Sequence, residues 1–181
     1  FKYNSKPYIK YVKPNNPYIA SQIRAFKSVL EFRKLGLKCS SLIFFNIESP
    51  LKSNNFLLNK IRDFIRFKKK RFLKLGNINV IRDFSWAPEI MQGVYYASKI
   101  PTQDIIFKSG KNFSIKKIIS LFFEFKNMDY KQFIKIDKKL YRKNEKHNLI
   151  SIKSNTNKLL KKWKWVPKIY GKKLISKLLS K

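Results

Sequence analysis

Acidic residues are scarce in this sequence: 10 Asp and Glu stand against 42 Lys and Arg, which leaves a formal net charge of +32. AT-rich coding favours Lys, Asn, Ile, Phe and Tyr, so drift alone would explain the high Lys content. It does not explain the charge imbalance, because Glu, whose codons are about as AT-rich as those of Asp, has not become more frequent. A free domain with this charge repels itself and collects polyanions. We therefore infer a permanent polyanionic partner and favour nucleic acid over a membrane surface.

Other residue types and motifs are also rare or missing. Cys39 is the single cysteine, so an internal disulfide is excluded. No apolar run approaches the ~18–20 residues of a membrane-spanning helix. His147 is the only histidine and has no partner at metal-ligand spacing. The five glycines are scattered and form no phosphate-binding turn, so the sequence predicts neither a metal nor a nucleotide cofactor.

What the sequence does contain is an alternation of helical and strand patterns. Apolar residues recurring at helical spacing, with Ser114 and Gly36 at suitable cap positions, predict helices over 18–35, 56–69, 115–125, 158–163 and 171–179. A further helix is predicted after Arg82–Phe84, because Pro88 and Glu89 suit a first helical turn. Short apolar runs predict strands over 39–45, which would bury Cys39, and over 72–73, 104–107 and 133–136. The fold class is therefore α/β.

The organisation is that of a single domain over residues 1–181. Residues 1–16 form an irregular N-terminal segment with two prolines, and residues 157–181 form two basic C-terminal helices. Neither an internal repeat nor a low-complexity linker divides the chain.

Six segments, in register along the chain, resemble one family. They are Pro14–Gln22, Phe45–Pro50, Phe56–Ile61, Leu75–Phe84, Asp137–Glu145 and Lys158–Pro167. The first resembles the Pro-x-Ser-Pro-Tyr-x-x-x-Lys segment around the catalytic tyrosine of extended short-chain dehydrogenases. The second resembles the Phe-Asn-His-Glu-Ser-Pro segment of GDP-mannose 4,6-dehydratases, and the others resemble later segments of that family.

The resemblance implies a fold. It corresponds to the C-terminal portion of a Rossmann-like parallel sheet plus the small substrate-binding region of an extended short-chain dehydrogenase. The N-terminal dinucleotide-binding half of the family, with its glycine-rich turn and its upstream catalytic Ser/Thr and Glu, has no counterpart in the sequence. We therefore expect a truncated dehydratase-like domain.

The resemblance also implies that the chemistry is lost. In the family the tyrosine is the acid/base on the sugar 4-hydroxyl, and the lysine one turn later favours its phenolate, because a free phenol has a pKa near ~10. Tyr18 is retained here, but Gln22 replaces the lysine, and a neutral amide cannot lower a phenol's pKa by charge. We expect a pseudoenzyme in which Tyr18 merely packs and caps at a helix start.

Five positions match the family's nucleotide-sugar contacts: Asn46, Lys60, Arg82, Arg142 and Glu145. We interpret them as vestigial, with Arg82 and its neighbour Asp83 forming a structural ion pair and Arg142 with Glu145 closing a loop. Neighbouring positions depart from the family. Its Arg-Arg after Ser-Pro is Leu-Lys here, and its loop His is Ile. No small-molecule substrate is expected.

The remaining signal is basic surface. The predicted RNA-binding residues are Lys68, Lys69, Lys70, Arg71, Lys161, Lys162, Trp163, Lys164, Lys172 and Lys173. Cations alternate with aromatics over 161–165, a pattern that suits phosphate neutralisation with base stacking, although the family has a core Trp at the position of Trp165. Lys greatly outnumbers Arg, which favours binding to the RNA backbone over base reading.

The combined prediction is a non-catalytic, dehydratase-derived structural RNA-binding component of a large ribonucleoprotein. By class, a mitochondrial ribosome fits best, with ribosomal RNA and neighbouring ribosomal proteins as partners. The alternative is a fragment or split half of an active dehydratase-like enzyme, completed by a separate NADP-binding half. A third possibility is an accessory subunit bound to anionic lipid.

Overall fold

The structure, a computed structural model, describes residues 16–67, 71–141 and 157–180. Helices and strands alternate through most of this part of the chain. In chain order the elements are α1 (Pro17–Lys34), β1 (Leu42–Phe44), β2 (Asn46–Glu48), α2 (Leu57–Phe67), β3 (Leu73–Leu75), β4 (Ile81–Trp86), α3 (Ala87–Ala97), β5 (Ile105–Phe107), β6 (Asn112–Ser114), α4 (Ile115–Glu124), β7 (Ile134–Ile136), α5 (Asn157–Trp163) and α6 (Gly171–Leu179). Two short 3-10 helices, Tyr130–Gln132 and Lys138–Leu140, flank β7.

The strands form three small sheets whose pairings are mostly parallel. β1 pairs with β5, β3 pairs with β7, and β4 lies between β2 (parallel) and β6 (antiparallel). The strand pairs are joined by helical crossovers, as parallel pairing requires. The predicted α/β class with parallel strand pairing is confirmed.

Local sequence signals set the helix ends. The Asn16 side chain accepts a hydrogen bond from the Ile19 amide at 2.8 Å, and Pro17 occupies the first turn of α1. Gly36 follows α1 with φ 87°, a conformation that favours glycine. The predicted cap of α4 is confirmed, because Ser114 Oγ accepts from the Lys117 amide at 3.1 Å.

The strand predicted over 39–45 is shorter and less buried than expected. β1 begins at Leu42, and Cys39 precedes it, half-buried, with its Sγ 3.5 Å from the Val29 carbonyl of α1. The approach to β1 is instead fixed by Asp104, which accepts hydrogen bonds from Arg33 and from the Ser41 amide. Phe44 is 40% exposed and lines an open cleft against α1, and β5 is the only strand that pairs with β1 in the described part of the chain.

Two buried clusters form the core. The larger joins the inner faces of α2, α4 and α6 to β3 and β4, and its fully buried members include Leu58, Ile61, Ile118, Phe122, Leu174 and Ile175. The smaller joins α3, β5 and α5 around Ile90, Phe107, Leu159 and Trp165. The expectation that Trp165 fills the core is confirmed.

The C-terminal region is fastened to α3 by one acidic residue. The two carboxylate oxygens of Glu89 accept hydrogen bonds from the amides of Lys168 and Ile169, at 2.7 and 3.0 Å. The Trp165 indole N–H donates to the Glu89 carbonyl at 3.2 Å. These bonds hold residues 165–169 in place and set where α6 begins.

Gly93 is the position where this packing tolerates no side chain. A Cβ at this site would overlap the Trp165 ring. We expect Gly93→Ala to lower the free energy of unfolding by about 1–3 kcal/mol, even though alanine favours helix by up to ~1 kcal/mol. Urea denaturation measures this. Gln92→Ala, on the exposed side of α3, is the control, and an unchanged or raised midpoint for Gly93→Ala would contradict the packing.

Candidate functional site

A cleft of about 640 Å³ opens beside β2 and β4 and is called here the β2–β4 cleft. Its polar lining includes Tyr18, Asn46, Glu48, Lys52 and Arg82. Its apolar lining includes Leu75, Val80, Phe84, Ile115 and Leu140. The cleft therefore combines an apolar floor with a few convergent polar groups, which is typical of small-molecule sites.

Parallel pairing of β2 and β4 brings the two motif segments together. Asn46 lies opposite Phe84 in the register, and its Nδ2 donates to the Asp83 carbonyl at 2.9 Å. Arg82 lines the cleft and donates from Nη1 to the Ile81 carbonyl at 2.8 Å. Two positions that are 36 residues apart in sequence thus meet at one cleft because the strands that carry them pair.

Asp83 faces away from the cleft and has a structural role. It is 2% exposed, and its two oxygens accept from the amides of Ser109 and Gly110, each at 2.8 Å. Ser85 Oγ is a further donor at 3.3 Å. Adjacent strand residues point to opposite faces, so Asp83 is placed to hold the loop after β5 while Arg82 reaches the cleft.

Glu48 is a buried carboxylate on the cleft wall. It is 4% exposed, and its Oε1 accepts from Lys52 Nζ at 3.1 Å. Its Oε2 is buried and has no hydrogen-bond partner among the described residues. Burial raises the pKa of Glu48, and the charge of Lys52 opposes that rise.

This pKa shift predicts a pH dependence. The folded state keeps the Glu48 proton to a higher pH than the unfolded chain, whose glutamate has the ordinary pKa of 4.5. The contribution of Glu48 to the free energy of unfolding is therefore fully present below that value and lost as pH rises through the folded pKa. We expect Glu48→Gln to reduce the dependence of the free energy of unfolding on pH in this window. Urea denaturation at a series of pH values measures it. Glu31→Gln, at an exposed pair with Lys34, is the control, and equal slopes in all three proteins would contradict the prediction.

Tyr18 and Gln22 stand where α1 borders two clefts. Tyr18 is 71% exposed and lines both the β2–β4 cleft and a second cleft of about 650 Å³ between α1 and β1, called the α1–β1 cleft. Gln22 lines the α1–β1 cleft. The expectation that Tyr18 packs and caps is wrong, because Asn16 caps the helix and the tyrosine ring is largely in solvent.

Of the other three predicted sugar-nucleotide positions, the structure describes only Lys60. Lys60 is exposed on α2 and is not among the residues lining the β2–β4 cleft. Arg142 and Glu145 lie outside the described residues. Of the five predicted positions, the structure therefore brings Asn46 and Arg82 together.

The predicted RNA-binding residues lie at the surface wherever they are described. The exposed cations among them are Arg71, Lys161, Lys162, Lys164, Lys172 and Lys173, while Lys68, Lys69 and Lys70 lie outside the described residues. Trp163 is half-buried and stacks on Tyr96, with ring centroids 5.2 Å apart and planes at 9°. One face of Trp163 is thus already covered by protein, which limits its use for base stacking.

Sequence reasoning overlooked Glu48 and Lys52 as cleft residues. Asn46 and Glu48 are two apart on β2, so they project to the same face, and this period of two could have identified Glu48 once Asn46 was assigned. The sequence alone marks Lys52 only as a departure from the family motif. Its ammonium also contacts the Ile47 carbonyl at 3.0 Å and lies 4.2 Å from the Phe56 ring.

Two other kinds of feature are absent from residues 16–67, 71–141 and 157–180. No group of three or more His, Cys, Asp or Glu residues in these ranges could hold a metal ion. No helix in them is both long and apolar enough to cross a bilayer.

The family model and the curated relatives that match this chain belong to the same family. The family model described as GDP-mannose 4,6 dehydratase matches residues 9–178. GDP-mannose 4,6 dehydratase 1 of Arabidopsis thaliana is 27% identical over 173 residues, covering 92% of this chain and 46% of that protein. The GDP-mannose 4,6-dehydratase of Sinorhizobium fredii is 30% identical over 116 residues, covering 61% of this chain and 33% of that protein. The chain spans about half the length, or less, of the curated relatives it matches.

Solved structures show the same fold. RMD from Pseudomonas aeruginosa, complexed with NADPH, has a TM-score of 0.75 at 20% identity, covering 93% of this chain and 56% of that chain. dTDP-glucose 4,6-dehydratase from Bacillus anthracis, in complex with NAD, has a TM-score of 0.79 at 14% identity, covering 99% of this chain and 56% of that chain. The expected partial fold of an extended short-chain dehydrogenase is confirmed.

Proposed function

Because the chain belongs to the GDP-mannose 4,6-dehydratase family, we propose that its β2–β4 cleft binds a nucleotide-diphosphate sugar of the GDP-mannose class. We propose further that turnover requires a cofactor-binding half that this sequence does not contain. The observation that carries the proposal is the meeting of Tyr18, Asn46 and Arg82 at one cleft. The family resemblance points to these three residues, and the cleft is where their elements converge.

The chemistry of the lining suits such a ligand. The Arg82 guanidinium can make charge-assisted hydrogen bonds to diphosphate oxygens, and the Asn46 amide can bond a hydroxyl or phosphate. The apolar residues supply a surface for the base and the sugar ring. Lys52 adds positive charge, although Glu48 neutralises part of it.

The need for a second half is supported by the α1–β1 cleft. Parallel sheets are normally covered on both faces, and interior strands pair on both edges. Here β1 pairs with β5 alone among the described residues, and apolar side chains such as Ile43, Phe44 and Val29 line an open cleft. The relatives are about twice as long as the region that this chain matches. The additional half of their length is enough chain to cover this surface.

Isothermal titration of the protein with GDP-mannose tests the proposed binding. Removing one charged hydrogen-bond donor costs about 1.5–3 kcal/mol, so we expect Arg82→Gln to weaken binding by about 10-fold or more. Arg24→Gln, an exposed arginine on α1 outside the β2–β4 lining, should leave the affinity unchanged. An absence of binding to the wild-type protein, or equal losses in both variants, would exclude a functional sugar-nucleotide cleft.

A second candidate is the non-catalytic structural RNA-binding role, and one observation favours it. Of the 10 acidic residues, all but Glu145 lie in the described part, and each of these is engaged by a hydrogen bond or ion pair. Glu31, Asp63, Asp104 and Glu124 pair with nearby cations, and Glu48 pairs with Lys52. Asp83, Glu89, Asp129 and Asp137 accept from backbone amides.

This distribution is the one that selection for a cationic surface would leave. Drift would leave acidic residues wherever mutation placed them, including positions that face solvent without a partner. Selection for a cationic surface would remove those and retain the carboxylates that the fold uses. The pattern therefore supports a polyanionic partner, and ribosomal RNA within a mitochondrial ribosome, beside neighbouring ribosomal proteins, is our proposal for it by class.

Copurification tests this candidate. The protein is isolated from its source at low and at high salt, and the RNA that remains bound is sequenced. One abundant structured RNA, retained at low salt and released at high salt, is the expected result. Retention of no RNA at low salt would exclude the structural RNA-binding role.

A further inference from the structure

We propose that the surface where α4 ends against α6 is a binding site for an unpaired RNA nucleotide. This inference rests on the RNA-binding candidate above. The site is a shallow hollow of about 360 Å³ lined by Phe125, Ile169, Lys172, Lys173, Ser176 and Lys177, and we call it the α4–α6 hollow. The base of the bound nucleotide would stack on Phe125, and the phosphates on either side of that nucleotide would contact the three lysines.

The packing of the two helices fixes the orientation of these side chains. α6 buries Leu174, Ile175 and Leu178 in the main core, which turns Lys172, Lys173 and Lys177 outward. Each of the three lysines is exposed. The lysines therefore stand together on one side of a helix that is held firmly by its apolar face.

The aromatic ring in the hollow, Phe125, does not belong to either buried core cluster. Phe125 follows α4 directly and is 45% exposed, whereas Phe122 and Phe123 of the same helix are fully buried. An exposed ring beside a cluster of lysines matches the composition of single-strand binding surfaces, where bases stack on aromatics and cations neutralise the backbone.

The local charge supports an anionic occupant. Lys116 and Lys117 extend the basic surface onto α4, and Glu124 is the single acidic residue within α4 and α6. Its two oxygens lie 3.8 Å from Lys117 Nζ and from Lys172 Nζ, and Ser120 donates to it at 2.6 Å. Glu124 therefore brings lysines of both helices together, and the five cations retain a large excess over its one charge.

An anionic lipid surface is the competing occupant, because it also accepts a lysine cluster beside an aromatic ring. The hollow is small and shallow, and exposed lysines also lie on α1, α2, β3 and β7, so the positive charge is not confined to the hollow. Both features favour a nucleotide held within a larger RNA contact, and we commit to RNA.

Two matched sets of variants test the site in the full chain. Phe125→Leu keeps an apolar side chain but removes the stacking ring, and Phe32→Leu does the same at an exposed position of α1. One triple variant changes the lysines of the hollow, Lys172, Lys173 and Lys177, to Gln. Its matched control changes three exposed lysines elsewhere, Lys27, Lys38 and Lys74, to Gln. Each lysine set lowers the net charge equally, so general electrostatics cannot separate them.

Fluorescence anisotropy is measured with a single-stranded RNA and with a fully paired duplex of equal length. Phe125→Leu is expected to lose about 10-fold in affinity for the single strand and to keep its affinity for the duplex, since stacking needs an unpaired base. Phe32→Leu should change neither. The lysine set in the hollow should flatten the salt slope for the single strand by about 2, at ~0.7 per contact, and the matched set should not.

The outcomes separate this site from the RNA-binding role itself. Wild-type protein that binds neither RNA would end the RNA-binding candidate and this site with it. Binding that falls equally in the matched sets would retain RNA binding but overturn the hollow as its site. Cosedimentation with vesicles of anionic phospholipid is the last arm. Loss of vesicle binding in Phe125→Leu, without loss of RNA binding, would overturn the RNA assignment in favour of a membrane.

Discussion

The wild-type protein is expected to lose about 10³-fold or more of its affinity for structured RNA between about 50 and 200 mM salt. Each phosphate neutralised on a duplex contributes about −0.9 to the slope of log affinity against log salt, so about six contacts suffice. The described chain exposes many more lysines than that, on α1, α4, α6 and the segments between. Filter binding across a salt series measures the slope directly.

Charge reversal of Lys68, Lys69, Lys70 and Arg71 is the variant for this measurement. It should lower the affinity and flatten the slope, with little change in preference between RNA sequences, because lysine contacts to the backbone carry no base information. Two results would count against the structural RNA-binding role. One is an affinity that hardly changes with salt, and the other is displacement of the RNA by micromolar GDP-mannose.

The purified chain is also expected to show no GDP-mannose dehydratase turnover, and Gln22→Lys alone should not restore it. A positioned acid/base contributes about 10²–10⁴-fold to rate, and Gln22 is a neutral amide where the family motif has a lysine. The given sequence also has no glycine-rich turn of the kind that binds a dinucleotide, and we therefore propose that this chain alone does not hold the cofactor. Product formation is followed by chromatography beside an active relative from the same family.

Adding a cofactor-binding half of that relative, with NADP, separates the two proposed reasons for the expected inactivity. If the half docks at the α1–β1 cleft, the complex with Gln22→Lys should turn over about 10²–10⁴-fold faster than the complex with Gln22. Turnover by the wild-type chain without any added half would contradict the proposal that it needs completion.

Sequence reasoning predicted the helices well and the strands less well. The bounds of α6 were predicted to the residue, and α1 and α4 within about one residue at each end, because caps and apolar spacing are local signals. β2 and β6 are three-residue strands containing polar residues, and pairing with β4 makes them strands. Such pairing is a tertiary effect that no local window contains.

The site was predictable where a motif carried it. Asn46, Arg82 and Tyr18 were identified from family segments. The paired strands β2 and β4 bring Asn46 and Arg82 to one cleft, and Tyr18 reaches it from α1. Lys60 matched the same pattern but points into solvent from α2, since a sequence match gives the residue and not the direction of its side chain. The hollow at Phe125 depends on two helices separated by about 50 residues of chain, and sequence spacing alone could not reveal it.

The fastening of residues 165–169 to α3 has a thermodynamic consequence for any partner of α6. Many basic C-terminal segments are disordered until they bind, and ordering them consumes about 2–5 kcal/mol of the interaction energy. Here the Glu89 hydrogen bonds and the packing of Trp165 on Gly93 have already ordered the approach to α6 before a ligand arrives. Binding at this surface should therefore proceed with a heat-capacity change set by the contact itself, without the larger negative value that accompanies coupled folding.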